Sequence, residues 1–133
     1  MIFVSAGTKD GRELAGYLLQ QGYKVTASVV SQYGESLLER YSGMHINCQA
    51  LDADGFVTYF ASHGVKLFVD ASHPYAANVS INAMEACQRA KIPYIRYERQ
   101  QTPLDYAKAF YVENYQQAAA KAAELGEHIF LTT

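Results

Sequence analysis

Short apolar runs alternate with longer segments of helical spacing along most of the chain. The apolar runs predict strands at residues 2–5, 24–30, 45–49, 66–70, 94–97, 109–112 and 129–131. Between the first two runs, apolar residues recur at helical spacing, namely Leu14, Ala15, Leu18 and Leu19. The same alternation continues through the later segments. It predicts an α/β fold whose mostly parallel sheet is covered by helices on both faces.

Glycine stands between a helical segment and the next apolar run at Gly22, Gly64 and Gly126. A glycine just past a helix supplies the left-handed residue that closes the last turn. Before the run at 94–97, Pro93 stops the helix instead. Right-handed crossovers between such units build a doubly wound, Rossmann-like three-layer sheet. The expected strand order is 3-2-1-4-5, with one or two further strands.

Length, charge and cysteine usage limit the classes of protein. The 133 residues suit a single domain, and a formal charge of −2 from 11 basic and 13 acidic residues offers no basic field for nucleic acid or an anionic membrane. No signal peptide or long apolar run is present, which predicts a cytoplasmic protein. No His, Cys or carboxylate trio has metal-ligand spacing. Cys87 lies on an apolar helical stripe and is expected in the core.

The last third of the chain predicts a change of organisation. Residues 98–108 lack a periodic pattern and include Thr102-Pro103, so they are a candidate hinge within an otherwise single Rossmann-like domain, 1–133. Residues 109–133 predict a last β-α-β unit, which ends directly after a strand and would lead to a second domain outside this chain. The face left by a missing domain would be apolar and could support self-association.

The first strand is followed by a turn that is typical of phosphate binding. Gly7 follows the strand and Gly11 opens the helix, although Ser5 or Ala6 stands where the G-x-G-x-x-G fingerprint has its first glycine. Thr8 offers a hydroxyl, and Lys9 and Arg12 offer positive charge. The same segment also fits a tight turn that binds nothing.

The segment after the second strand bears on the choice of dinucleotide. An NAD-binding fold usually carries a carboxylate there, whereas residues 27–32 read Ala-Ser-Val-Val-Ser-Gln. Without that acid nothing repels a 2′-phosphate, so NADPH is favoured over NADH, with Ser31 as a candidate contact. No arginine replaces the missing acid locally.

The segment Asp-Ala-Ser-His-Pro-Tyr-Ala at 70–76 follows a buried strand and brings polar groups to a carboxyl edge, where open α/β sheets bind ligands. His73 and Tyr75 are its side chains that could move a proton, and Pro74 stiffens the turn. The alternative is that His73 and Pro74 only shape the entry of the next helix.

Four segments together carry a resemblance to the precorrin-6A reductase family of cobalamin biosynthesis. They read Gly-Thr-Lys-Asp-Gly-Arg at 7–12, Asp-Ala-Ser-His-Pro-Tyr-Ala at 70–76, Pro-Tyr-Ile-Arg-Tyr-Glu-Arg at 93–99 and Phe-Leu-Thr-Thr at 130–133. The resemblance covers the whole chain and corresponds to the N-terminal half of the family. It implies NADPH as cofactor, and precorrin-6A or cobalt-precorrin-6A, a tetrapyrrole, as the substrate that receives a hydride.

The resemblance also implies roles for individual residues. Gly7, Thr8, Lys9, Gly11, Arg12, Ser31 and Ser72 would bind the cofactor, and His73 or Tyr75 would be the catalytic proton donor. The substrate's carboxylates would meet Arg96, Arg99, Thr132 and Thr133. The alternative for the two arginines is pairing with Glu98 or Asp105.

Two other functions fit parts of the pattern. A non-catalytic dinucleotide-binding or sensing domain would keep the fold without a substrate lobe. A sugar-nucleotide epimerase or dehydrogenase is disfavoured, because its usual Tyr-x-x-x-Lys pair on a helix is absent from the sequence.

Overall fold

The computed structural model describes residues 1–98 and 105–131. The chain divides into two compact units, Met1–Arg99 and Gln100–Thr133. The candidate hinge at 98–108 lies partly outside the described residues, and its role as a hinge stays a prediction.

The first unit alternates strands and helices without exception. Its elements are β1 Ile2–Ser5, α1 Lys9–Gln20, β2 Val25–Ser28, α2 Gln32–Leu38, β3 His45–Asn47, α3 Ala53–His63, β4 Leu67–Asp70, α4 Ala77–Ala90 and β5 Tyr94–Arg96. All four strand pairings are parallel, in the order β3-β2-β1-β4-β5. The α/β fold and the predicted strand order are confirmed. The strands are shorter than predicted, since residues 29–30 and 48–49 already belong to loops.

Alternation along the central strands sends side chains to two separate cores. Phe3 pairs in register with Phe68, and Val4 with Val69. The two phenylalanines pack with α3 and α4, where Phe56, Phe60, Ala83, Ala86 and Cys87 are buried. The two valines join the opposite cluster with Ala15 of α1 and Leu38 of α2. Helices therefore cover both faces of the sheet, which makes a three-layer, Rossmann-like domain.

Cys87 lies in the phenylalanine core with only 3% of its surface exposed. Burial among apolar side chains raises the pKa of its thiol to about 11. The prediction of a core thiol is confirmed, and Cys87 has no role in the chemistry considered below.

The helix ends follow the predicted chemistry in part. Gly64 closes α3 with φ 62°, and Gly22 follows α1 with φ 86°, as left-handed closure requires. Gly126 has φ 173°, an extended backbone, so the left-handed prediction is wrong there. At the end of α4 the left-handed residue is Lys91, with φ 54°, and Pro93 only follows it. No helix within residues 1–98 and 105–131 is both long and apolar enough to cross a membrane.

The second unit contains α5, Tyr115–Leu125, which Asn114 caps at its N-terminus. The strands predicted at 109–112 and 129–131 are absent from its described residues. Their apolar side chains are largely exposed, as for Phe110 at 56% and Phe130 at 90%. Apolar runs form strands only when a neighbouring strand pairs with their backbone, and none does so here. Of the predicted last β-α-β unit, only the helix forms.

Gly11 should be more sensitive to substitution than Gly7 in the same turn. A Cβ on Gly11 would lie 2.9 Å from Ala71 Cβ and 3.0 Å from Ala71 O, whereas a Cβ on Gly7 would meet nothing within 4 Å. We therefore expect Gly11→Ala to lower the free energy of unfolding by about 1–3 kcal/mol. Gly7→Ala is the matched control and should not destabilise the fold. Urea denaturation measures both, and equal stability of the two variants would contradict the close packing.

Candidate functional site

A cleft of about 530 Å³ lies at the carboxyl edge of the sheet in the first unit. Its wall includes Gly7 after β1, Val30 after β2, Gln49 after β3 and Ser72 after β4. Asn82 of α4 lines another side. Four successive strand-to-helix loops therefore meet at one edge, the edge where open α/β sheets bind ligands.

The glycine turn forms one side of this cleft. Gly7 is exposed, with open space where a Cβ would stand, while Gly11 is buried against Ala71. Thr8 caps α1, because its hydroxyl oxygen accepts from the Gly11 amide at 3.0 Å. The same hydroxyl donates to the carbonyl of Ala71 at 2.9 Å. The Thr8 hydroxyl is thus engaged in hydrogen bonds within the fold. A phosphate contact from Thr8 would have to be made by its backbone amide.

Lys9, Arg12 and Ser31 flank the cleft but are not part of its wall. Lys9 Nζ lies 3.7 Å from Glu13 Oε1, and Arg12 Nη1 donates to the carbonyl of Gly7 at 3.4 Å. Ser31 caps α2 by accepting from the Gly34 amide at 3.0 Å. Their roles in cofactor binding stay predictions.

The turn after β4 brings His73 and Tyr75 to the cleft, as the sequence predicted for this edge. His73 Nδ1 accepts from the Tyr75 amide at 3.2 Å, and the two rings meet edge to face at 5.0 Å. A neutral His73 ring with Nδ1 accepting carries its proton on Nε2. The alternative role, in which His73 shapes the entry of the next helix, also has support. The imidazole is hydrogen-bonded to the Tyr75 amide, and the His73 carbonyl accepts from the Ala76 amide just before α4 begins.

Behind this turn lies a buried carboxylate, Asp70, whose surface is fully covered. Its Oδ1 accepts from the Ser72 amide at 3.0 Å and from the Ser72 hydroxyl at 2.6 Å. Its Oδ2 accepts from the hydroxyls of Ser80 and Tyr94, both at 2.6 Å. Arg96 Nη1 completes the set at 2.8 Å from Oδ1. We call these five residues the Asp70 network.

The Asp70 network determines the charge states of its members. Burial by itself raises the pKa of Asp70. The hydrogen bonds from Ser72, Ser80 and Tyr94 together lower this pKa by more, so that it falls from 3.8 to about 2. Burial and the bond to Asp70 raise the pKa of Tyr94 to about 12. Asp70 is therefore an anion and Tyr94 a neutral donor at ordinary pH.

The resemblance predicts that Arg96 binds substrate carboxylates, which stays a prediction, and in the structure its guanidinium contacts groups of the chain itself. Besides Asp70, it contacts Glu98 through Nε at 2.8 Å and the Ser72 carbonyl through Nη2 at 3.1 Å. The alternative, pairing with Glu98, is the arrangement observed. A guanidinium held on three sides has little donor capacity left for a ligand. Arg99, Thr132 and Thr133 lie outside the described residues.

Comparison with known proteins agrees with this architecture. A family model described as "Precorrin-6x reductase CbiJ/CobK" matches residues 1–133. The chain belongs to this family. It is 41% identical over its full length to cobalt-precorrin-6A reductase of Priestia megaterium, covering 52% of that protein. It is 30% identical to cobalt-precorrin-6A reductase of Methanocaldococcus jannaschii over 91% of the chain, covering 49% of that protein.

A solved structure of CobK precorrin-6A reductase superposes with a TM-score of 0.72 at 26% identity. The superposition covers 90% of this chain and 46% of that one. The chain thus spans about half the length of the relatives it matches.

The sequence patterns predict no role for three members of the Asp70 network, Asp70, Ser80 and Tyr94, although Asp70 lies in the segment 70–76 and Tyr94 in the segment 93–99. A signal was present, because an aspartate ending a fully apolar strand is buried and must find donors. Which residues supply those donors depends on the strand order, since α4 brings Ser80 from 10 positions away and β5 brings Tyr94 from 24 positions away.

Asp70 should make the fold of this chain sensitive to acid. Because its pKa falls from 3.8 in the unfolded chain to about 2 in the fold, its contribution is present above pH 3.8 and is lost as pH falls through about 2. The shift corresponds to about 2 kcal/mol. Urea denaturation from pH 5 to pH 2 should show this loss in the wild type and a shallower slope in Asp70→Asn. The exposed Asp105→Asn is the control, and a wild-type slope in Asp70→Asn would contradict the assignment.

Proposed function

We propose that this chain is the dinucleotide-binding half of an enzyme that reduces precorrin-6A, or cobalt-precorrin-6A, to the 6B form with NADPH in cobalamin biosynthesis. The observation that carries the proposal is the cleft at the carboxyl edge, formed by four loops, in a chain that matches the family throughout. The proposed partner is the tetrapyrrole substrate, and the proposed location is the cytoplasm.

The residues at the glycine turn fit a dinucleotide. The open space at Gly7 lets a phosphate approach the backbone, which any Cβ would hinder. The first amides of α1, at Thr8 and Lys9, have no acceptor within the helix and lie at its positive end. The side chains of Lys9 and Arg12 add positive charge near the same turn. Small-molecule sites usually enclose about 300–1,000 Å³, so the cleft is large enough for part of the cofactor.

The end of β2 supports NADPH over NADH. Ser28 and Val30 line the cleft there, and no carboxylate occurs between positions 27 and 32. Asn47 donates to the Ser28 hydroxyl at 3.0 Å, which leaves the hydroxyl proton of Ser28 for another acceptor. A neutral hydroxyl donates to a 2′-phosphate oxygen, whereas a carboxylate would repel the phosphate.

The turn after β4 supplies the groups for proton transfer. NADPH, when bound, supplies the hydride for the substrate. His73 and Tyr75 each carry an exchangeable proton at the cleft, and both are exposed. Ser72, in contrast, gives its hydroxyl proton to Asp70. Ser72 would therefore contact the cofactor by van der Waals packing and not by donating a hydrogen bond from its hydroxyl.

Titration of the chain with NADPH, followed by cofactor fluorescence, tests the glycine turn. Gly7→Ala should leave stability intact, because its Cβ meets nothing within 4 Å. It should raise the Kd for NADPH about tenfold or more, about 1.4 kcal/mol, by holding the phosphates away from the backbone. Gly126→Ala is the matched control, since its Cβ is equally unhindered and it lies in the second unit. Equal NADPH affinity in both variants would argue against the assignment.

The same titration separates the two candidate functions, which both need a nucleotide site, from a fold that has none. NADPH binding followed by reduction of precorrin-6A places the whole activity in these residues. Binding without reduction of precorrin-6A fits a cofactor-binding half, and it also fits the second candidate, a non-catalytic dinucleotide-binding or sensing domain. Absence of binding at millimolar NADPH and NADH would contradict both.

Two substitutions test the proton donor. A general acid contributes about a hundredfold or more to a rate, so in the intact enzyme that contains this chain either His73→Gln or Tyr75→Phe should lower turnover of precorrin-6A by about that factor. Tyr23→Phe is the control, because Tyr23 is exposed and does not line the cleft. If both cleft variants keep the wild-type rate across the pH range, neither side chain is the acid.

A further inference from the structure

Asp70 is held by more donors than an ordinary buried carboxylate needs. Five donor atoms from Ser72, Ser80, Tyr94 and Arg96 reach its two oxygens within 3.0 Å. An ionised carboxylate offers about four lone pairs, so its capacity is filled. Arg96 Nη1 also reaches the hydroxyls of Ser72 and Ser80, at 3.0 and 3.3 Å. The result is a closed network with donors from β5, α4 and the turn itself.

Every polar atom of Ser72, a residue of the cleft wall, is hydrogen-bonded within the Asp70 network. The amide and the hydroxyl of Ser72 donate to Asp70, and its carbonyl accepts from Arg96 at 3.1 Å. The preceding residue, Ala71, is fixed by the Ser5 carbonyl at 3.1 Å and by Thr8 at 2.9 Å. The chain direction at Ser72 is thus fully determined. His73, the next residue, begins from that fixed point.

A buried charge of this kind is poorly explained by stability alone. Burying an ion pair costs desolvation, and well-packed apolar residues often stabilise a fold as well or better. A filled hydrogen-bond network gives a single geometry instead, because every donor direction is specified. The geometry that this network specifies is that of the turn lining the cleft. The core does not depend on the network for its packing, because Phe3, Phe56 and Phe68 are fully buried there.

We propose that Ser80 and Tyr94 are positioning residues for the reduction: by binding Asp70 they fix Ser72 and His73 in the cleft wall, although neither touches cofactor or substrate. This inference rests on the proposed function, since it concerns the same cleft. It assigns a role to two residues on elements that otherwise only cover or extend the sheet, α4 and β5. The substrate class and the cofactor remain those proposed above.

The test compares variants that each remove one hydroxyl. Ser80→Ala and Tyr94→Phe take one donor from Asp70 Oδ2, and the Tyr94 ring keeps its stacking on Phe68 at 5.7 Å. Ser80→Thr retains the hydroxyl. Tyr59→Phe is the matched control, because Tyr59 packs in the same core and its hydroxyl lies 3.5 Å from Thr26, away from Asp70. The measurements are NADPH affinity, the ring resonances of His73 and Tyr75 by NMR, and the melting temperature.

We expect Ser80→Ala and Tyr94→Phe to raise the Kd for NADPH about five- to tenfold, because a cleft wall that is no longer held in one geometry must be ordered when the cofactor binds. The His73 ring resonances should move in both. Ser80→Thr should restore affinity, and Tyr59→Phe should leave both readouts unchanged. If the two variants only melt earlier, with unchanged affinity and unmoved His73 resonances, the positioning role is wrong.

The two proposals fail in distinguishable ways. If the wild-type chain binds no NADPH, the proposed function fails, and the His73 resonances still test the network. Resonances that move in Tyr94→Phe and not in Tyr59→Phe would then support positioning of the turn. Resonances that move in neither would overturn it. Tyr94→Phe also serves if Ser80→Ala does not fold.

Discussion

The parallel pairing of β1 with β4 is the constraint on which the site depends. Its register sets Ser5 opposite Asp70, so both strands end at the same level and their loops begin side by side. The hydrogen bond from Thr8 to Ala71 then joins the two loops, and the absence of a side chain at Gly11 lets α1 approach Ala71 closely enough for it to form. Without this close approach, the glycine turn and the turn carrying His73 would not share one cleft.

The two sides of the cleft are held by different physical means. The glycine turn depends on steric freedom, with a missing Cβ at Gly11 for packing and another at Gly7 that leaves the backbone open. The opposite turn depends on a buried charge, because Asp70 lies behind Ser72 with all its acceptors filled. Burial of Asp70 would be costly without those donors, so the site and the local fold are specified together.

Sequence patterns predicted most of the first unit and less of the second. Apolar runs and glycine junctions were enough for the order of elements, because each run finds a neighbouring strand in a parallel sheet. Phe110 and Phe130 show the limit, since apolar spacing says nothing about whether a partner strand is present. In the site, His73 and Tyr75 were predictable from a single local segment. The engagement of Arg96 by Asp70 was not, because it depends on side chains brought together from β4 and β5.

The turn after β4 passes from a fully buried residue to exposed ones within three positions. Asp70 has no exposed surface, while His73 and Tyr75 are open to solvent, with Tyr75 86% exposed. An anchored base with exposed side chains meets two requirements of the proposed proton transfer: the donor must be held near one geometry, and it must reach a reactant that enters from outside. Fixing the backbone at Ser72, one residue before His73, meets both requirements, and it explains why most donors of this turn converge on Asp70, which holds Ser72, and only the Tyr75 amide reaches the imidazole.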